Sequence, residues 1–168
     1  LAYLGNCPWE EDLSFAQAVC DKLGVPLHVI PLQKEYWNEV VAYTINEVKA
    51  GHTPSPDLLC NQRIKFGAFL NKIDQSFDKI ATGHYARRID EGGKAFLGTA
   101  TDQNKDQTYF LGRITYQQLS KAMFPLADIE KKDVRKLARD LKLPSAGRPD
   151  SQGICFLGKI NYNEFIKR

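Results

Sequence analysis

Asp78-Lys-Ile-Ala-Thr-Gly-His84 reads as a short branched strand running into a glycine turn, and what stands on either side of it settles the fold class. Upstream, Leu13, Ala16, Val19, Cys20 and Leu23 keep a helical period from Glu10 to Leu23, with Gly24 as the stop. The apolar run Val25-Pro-Leu-His-Val-Ile-Pro-Leu32 then predicts a buried strand with proline at its margins. A second helix is predicted from Glu35 to Ala50, with Tyr36, Trp37, Val40, Val41, Thr44, Ile45 and Val48 on one side and Gly51 after it. Downstream, Tyr85 to Ile89, Glu91-Gly-Gly93 and Lys94 to Leu97 suggest a hairpin. Helix, strand, helix, loop, helix, strand is the alternation of an α/β domain with a parallel sheet, in which ligands bind beyond the carboxyl ends of strands. Gly83 and His84 occupy such an end; His84 is read as structural rather than catalytic.

Between the second helix and this strand lies Gly51-His-Thr-Pro-Ser-Pro-Asp57, where two prolines fix φ and shape a loop. Asp57 is expected to cap a helix running through Ile64, Phe66, Phe69, Leu70 and Ile73. Cys60 would then lie in its first turn, where the positive end of the helix dipole favours a thiolate. Beyond residue 100 the pattern is mostly helical: Asp106 to Leu111, Thr115 to Met123, and Glu130 to Leu141 with Val134, Leu137, Ala138 and Leu141 on one face. Pro144-Ser-Ala-Gly-Arg-Pro149 is a loop leading to Cys155. The reading divides the chain into residues 1–100, a catalytic α/β portion, and 101–168, a helical region ending in the Cys155 loop.

The 168 residues suffice for a real core, and 43% hydrophobic with 26% charged residues excludes a disordered or collagen-like chain. No apolar run approaches the roughly 20 residues needed to cross a bilayer, so no membrane role is expected. Lys and Arg exceed Asp and Glu by 23 − 20 = 3, too little to identify a polyanionic partner. Local basic clusters are more suggestive: Arg63 with Lys65, Arg87 with Arg88, and Lys131, Lys132, Arg135, Lys136, Arg139 and Lys142 along one helix, which also suits a solvated face.

Four cysteines, Cys7, Cys20, Cys60 and Cys155, lack the close CxxC pairs of a zinc ribbon, so no metal site is assigned. Cys20 falls on a helix stripe and reads as core. Cys60 and Cys155 sit instead beside turn-forming residues, where a thiol can reach a substrate, whereas a buried structural cysteine is inert. The sequence begins without a methionine and is read as an internal segment, with no signal peptide.

Seven motifs in order, Thr53-Pro-Ser-Pro-Asp57, Cys60-Asn61, Ile64-Lys-Phe-Gly67, Ala81-Thr-Gly-His-Tyr-Ala86, Lys105-Asp-Gln-Thr-Tyr-Phe-Leu111, Phe124-Pro-Leu126 and Asp150-Ser-Gln-Gly-Ile-Cys-Phe-Leu-Gly158, resemble the tRNA-specific 2-thiouridylase family (MnmA/TrmU). The resemblance implies a truncated PP-loop ATPase-like α/β domain followed by a helical tRNA-binding region. It implies ATP, with Mg2+, as cofactor, tRNA as substrate and a desulfurase or sulfur-relay protein as donor. The compartment implied is the cytoplasm, or a mitochondrion or plastid in a eukaryote.

In such enzymes the C2 oxygen of the wobble uridine is adenylated and replaced by sulfur. By this resemblance Cys155 is the persulfide carrier, Cys60 the partner nucleophile, and Asp57 an acid/base carboxylate that also suits a helix cap. A Cys60–Cys155 disulfide is the implied product of each turnover. Ser55, Pro56 and Asp57 match a stretch contacting the target base, although many relatives carry Asn where Ser55 stands. Gly83 matches a backbone contact to ATP, and Lys105, Asp106 and Gln107 a tRNA-contacting stretch that otherwise reads as a polar helix start. The chemistry agrees with these roles: a pyrimidine carbonyl oxygen leaves only once esterified, a soft sulfur nucleophile displaces it, and a second thiol resolves the product. The target uridine must be splayed from its stack to be reached.

The family's Ser-Gly-Gly-Val-Asp-Ser phosphate loop and its barrel-like C-terminal domain have no counterpart in these 168 residues, so the segment alone is expected to be inert. Two other readings are a tRNA-binding scaffold without ATPase function, and a thiol-disulfide redox protein using Cys60 and Cys155.

Overall fold

The computed structural model describes residues 9–73 and 76–149. Cys155 and its loop therefore lie outside the described residues, as do Cys7 and Asp150. The chain divides into two compact units, residues 1–29 with 135–168 and residues 30–134.

In the first unit, α1 (Trp9–Leu23) opens with Glu10, Glu11 and Asp12 at its positive end. It stops where expected, at Gly24, whose φ of 65° is left-handed and lets Val25 N–H reach back to the Cys20 carbonyl at 3.0 Å. The Arg148 guanidinium bonds Asp12 at 2.6 Å and lies 4.4 Å from the Phe15 ring centroid.

The strand predicted for Val25–Leu32 does not form. These residues are irregular, and Val29 is 67% exposed. A strand exists only through its ladder, and no partner strand lies beside this run among the described residues; Pro26 and Pro31 also remove two of its donors.

The second unit holds the core. Residues 33–49 are helical throughout, as α2 (Gln33–Tyr36), a π-helical stretch π1 (Trp37–Val41) and α3 (Ala42–Lys49). Tyr36, Val40, Val41 and Thr44 are buried, as the sequence period requires. A second run, residues 56–72, comprises α4 (Pro56–Leu59), π2 (Cys60–Ala68) and α5 (Phe69–Lys72). The two runs pack together, burying Leu59, Cys60 and Ile64.

The strand predicted at 78–84 is β1 (Ile80–Ala81), and it pairs in parallel with β4 (Ala122–Met123), Ile80 opposite Ala122. The hairpin is β2 (Ala86–Glu91) with β3 (Lys94–Thr99), antiparallel, with Ala86 opposite Thr99 and Glu91 opposite Lys94. Gly92 and Gly93 have φ of 57° and 73°, the twin positive values of the tight turn that matches strand twist. Phe66, Ile80, Ala86, Ala95, Leu111, Leu119, Ala122 and Phe124 form one core cluster, joining π2 to both strand pairs.

After the hairpin, the helix predicted for Asp106 to Leu111 is a single 3-10 turn, Thr108–Leu111. Thr115 caps α6 (Tyr116–Lys121) with a reciprocal Gln118 box. The last helix among the described residues is α7 (Lys131–Asp140). No helix among the described residues is long and apolar enough to span a membrane.

Candidate functional site

The loop before Cys60 behaves as its prolines dictate, but the helix begins earlier than expected. Ser55 is extended (φ −111°, ψ 94°) and stands at the cap position without a side-chain cap bond, while Pro56 takes the first helical place. Proline is preorganised for that place, since the N–H it lacks has no partner there in any helix. Asp57 is consequently not the cap; it is an exposed carboxylate in the first turn, where the helix dipole favours a negative charge.

Cys60 is thereby the fifth helical residue, not a first-turn residue. It is 4% exposed, on the same buried stripe as Leu59 and Ile64. The dipole fades beyond the first turn, so the expected thiolate stabilisation does not reach it in strength. Turn residues nearby in sequence did not imply exposure, because the apolar face of π2 packs toward π1.

Asn61 ties this helix to the 3-10 turn: its Nδ2 donates to the Phe110 carbonyl at 3.0 Å. Gln107, just before that turn, binds Tyr85 twice, its N–H donating to the Tyr85 carbonyl at 2.8 Å and its Oε1 accepting the Tyr85 N–H at 3.0 Å. Tyr85 follows Gly83 and His84. Asn61, Phe110, Gln107 and Tyr85 are thus joined by hydrogen bonds within the second unit, with Cys60 and Gly83 their near neighbours in sequence.

His84 is a buried ring at this junction, 6.3 Å from Phe66 and 6.4 Å from Phe124 between centroids, with Nδ1 2.9 Å from Thr82 Oγ1. Burial first, and the Lys65 charge second, lower its pKa from 6.5 to about 4. At neutral pH the ring is uncharged.

Of the Lys105-Asp106-Gln107 stretch, Asp106 and Gln107 face inward. The Asp106 carboxylate accepts from Ala100 N–H at 2.8 Å, Thr108 N–H at 3.1 Å and Thr108 Oγ1 at 2.8 Å. Lys105 is exposed. The Arg87-Arg88 pair is likewise committed to structure: Arg87 pairs with Asp128 at 2.6 Å, and Arg88 bonds Asp90 at 2.6 Å and the Ser120 carbonyl at 2.9 Å.

Sequence reading missed Tyr109. Its ring is 64% exposed and rests against Phe110 at 4.0 Å between centroids. The signal was present: Lys105, Tyr109 and Arg113 alternate cation, aromatic and cation, all exposed. That pattern suits single-stranded nucleic acid, whose bases stack while its phosphates seek cations.

Gly83 is exposed past the carboxyl end of β1, and a Cβ built on it would meet nothing within 4 Å. The position fits a single backbone contact to a nucleotide. Among the described residues there is no glycine-rich N–H cradle for phosphates, so none of these residues is assigned to hold them. Among the described residues no three His, Cys, Asp or Glu side chains gather in a way that could hold a metal ion.

A family model described as the tRNA methyl transferase HUP domain matches residues 1–159. The chain belongs to that family. Its α/β architecture with a parallel pair is accordingly that of a HUP domain, the PP-loop ATPase-like fold expected from sequence. The chain is 54% identical over 163 residues to the tRNA-specific 2-thiouridylase MnmA of Parabacteroides distasonis, and 53% identical to MnmA 1 of Bacteroides thetaiotaomicron. To MnmA of Porphyromonas gingivalis it is 51% identical. These alignments cover 97% of this chain and 45 to 46% of each relative, so the chain spans about half the length of the curated relatives it matches. The resemblance read from the seven motifs stands.

Proposed function

We propose that this HUP domain is the sulfur-transferring part of an enzyme that makes 2-thiouridine in tRNA. The observation that carries the reading is identity above 50% across 97% of the chain to proteins named tRNA-specific 2-thiouridylases. The family description names methyl transfer, but the relatives' names, with two cysteines in specific sequence settings, favour thiolation.

When bound, ATP would supply AMP to the uridine C2 oxygen and so make it a leaving group, and Gly83 would give it one backbone contact from this chain. The residues of this chain do the rest. Cys155 carries a persulfide received from a desulfurase or relay protein, and its terminal sulfur forms the new bond at C2 as AMP departs. The Cys60 thiolate then attacks the Cys155 sulfur, breaking the S–S bond. The electron pair stays on the sulfur left at C2, giving the thiocarbonyl and a Cys60–Cys155 disulfide. An external dithiol must reduce that disulfide before the next turnover. A variant of the same balance has Cys60 attack the persulfide first, releasing sulfide as nucleophile.

Asp57, exposed in the first turn of the helix, is the carboxylate that would accept the Cys60 proton or steady the base, with Ser55 and Pro56 beside it in sequence. Lys105 and Tyr109 offer a cation and a stacking surface to the anticodon loop, while Asp106 and Gln107 hold that segment in shape. Catalysis is assigned to residues 1–100 and the Cys155 loop, and tRNA contact to 101–168 with the Ser55 loop. The working compartment is the cytoplasm.

The test is thiouridine formation by the full-length parent with tRNA, ATP and a sulfur donor. Loss of product in both Cys60→Ser and Cys155→Ser is expected. A wild type that retains tRNA but makes no thiouridine would instead support a binding scaffold.

A further inference from the structure

We propose that Gln118 is a positioning residue for Cys60, acting through the one backbone carbonyl that its amide reaches on π2. This deepens the reading of Cys60 as a sulfur-transfer thiol. The helix bearing Cys60 is π-helical over Cys60–Ala68, and its pairing spans five residues, as Phe69 N–H to the Ile64 carbonyl shows. Such wide turns are uncommon and, where they occur, are frequent at functional sites. The Gln62 carbonyl opens to one side of this turn, and Gln118 Nε2 donates to it at 2.7 Å.

Gly67 makes that approach possible. A Cβ there would stand 3.0 Å from the Gln62 oxygen and 3.9 Å from Gln118 Nε2. The other end of the amide is also committed: Gln118 Oε1 accepts Thr115 N–H at 2.9 Å, and Thr115 Oγ1 accepts Gln118 N–H at 3.3 Å. One side chain therefore locks the start of α6 to a point two residues from Cys60.

The consequence is rotational. Phe66 is anchored in the core beside His84 and Phe124, so it cannot turn. If the π turn reverted to α pairing, register between Cys60 and Phe66 would slip by one residue, which is about 100° of helix rotation. The swing would fall on Cys60 and Asn61, moving the thiol and breaking the Asn61 bond to Phe110.

Gln118→Glu separates this role from helix capping. Glutamate keeps the acceptor for Thr115 N–H, as a capping box allows, but sets a carboxylate oxygen against the Gln62 carbonyl. Thr115→Ala does the reverse: it weakens the cap and spares the bridge. Both are compared in the full-length parent by kcat and KM for tRNA thiolation, by unfolding midpoint, and by iodoacetamide labelling of Cys60 resolved by peptide mass spectrometry.

Gln118→Glu is expected to lower kcat by about tenfold or more with KM for tRNA held within about twofold, the pattern of a misplaced reacting group. Its Cys60 labelling rate should rise at least about threefold as the thiol leaves its buried stripe. Thr115→Ala should keep kcat even with a lowered midpoint. Should Gln118→Glu not fold, Gln118→Asn, which keeps both amide functions but falls short of Gln62, is expected to shift the same quantities by less. Loss of kcat in step with the unfolding midpoint across the variants, or wild-type kcat and Cys60 labelling in Gln118→Glu, would overturn the proposal. If Cys60→Ser itself sustains thiolation, the sulfur-transfer reading fails, while the labelling contrast still reports on positioning.

Discussion

Acidification should unfold this domain partly through one ring, His84. In the folded chain its pKa is lowered to about 4 from 6.5, because burial among Phe66 and Phe124 penalises the imidazolium and Lys65 adds repulsion. Between those values the unfolded chain binds a proton that the folded chain refuses. The stability due to the neutral ring is therefore complete above pH 6.5 and is lost as pH falls toward 4. The gap of 6.5 − 4 = 2.5 pH units, at 1.36 kcal/mol each, amounts to about 3 kcal/mol. That is a large share of the 5–15 kcal/mol typical of a domain. The assay is urea unfolding followed by tryptophan fluorescence from pH 7.5 to 4, on wild type and on His84→Phe, which fills the same aromatic space without titrating. Carboxylate effects are common to both proteins, so the wild-type curve alone should lose an additional amount of about 3 kcal/mol. Parallel curves would refute the account of a buried, uncharged His84.

Gly67→Ala forces a Cβ to within 3.0 Å of a backbone oxygen and should destabilise by about 1–3 kcal/mol, measurable by denaturant midpoint. Gly98→Ala meets only the end of the Ile89 side chain at 2.8 Å, on an exposed strand face, and should cost less. Asp106→Ala removes the acceptor of three hydrogen bonds and should cost about 3 kcal/mol in the same assay. Tyr109→Ala in the full-length parent should weaken tRNA binding by about 1–3 kcal/mol, with Tyr109→Phe restoring most of it in filter-binding titrations. Equal affinity for all three proteins would remove Tyr109 from the interface.

What the sequence disclosed was mostly what a few neighbouring residues decide. Glu91-Gly-Gly93 specified a hairpin because two positive φ values are needed together, and Gly24 and Gly51 ended their helices for a related reason. The misreadings came where distant chain decides. Val25–Leu32 has the composition of a strand, but a strand also needs a neighbour. Asp57 looked like a cap, but its neighbour Pro56 takes the first helical place, which moves Cys60 two residues deeper into the helix and out of its first turn. Arg87 and Arg88 looked like a basic patch, yet carboxylates and carbonyls from 90 to 128 claim both. Thr115-Tyr-Gln-Gln118 signals a capping box, but nothing local signals that the same glutamine reaches Gln62, 56 residues away. Cys155, the other half of the proposed chemistry, lies outside the described residues.

The most direct test of the central claim is the thiouridine content of tRNA incubated with ATP, a sulfur donor and the full-length parent as wild type, Cys60→Ser and Cys155→Ser. The account predicts product with wild type and none with either variant. Thiouridine formed by either variant would contradict it, because that cysteine would then have no part in moving the sulfur.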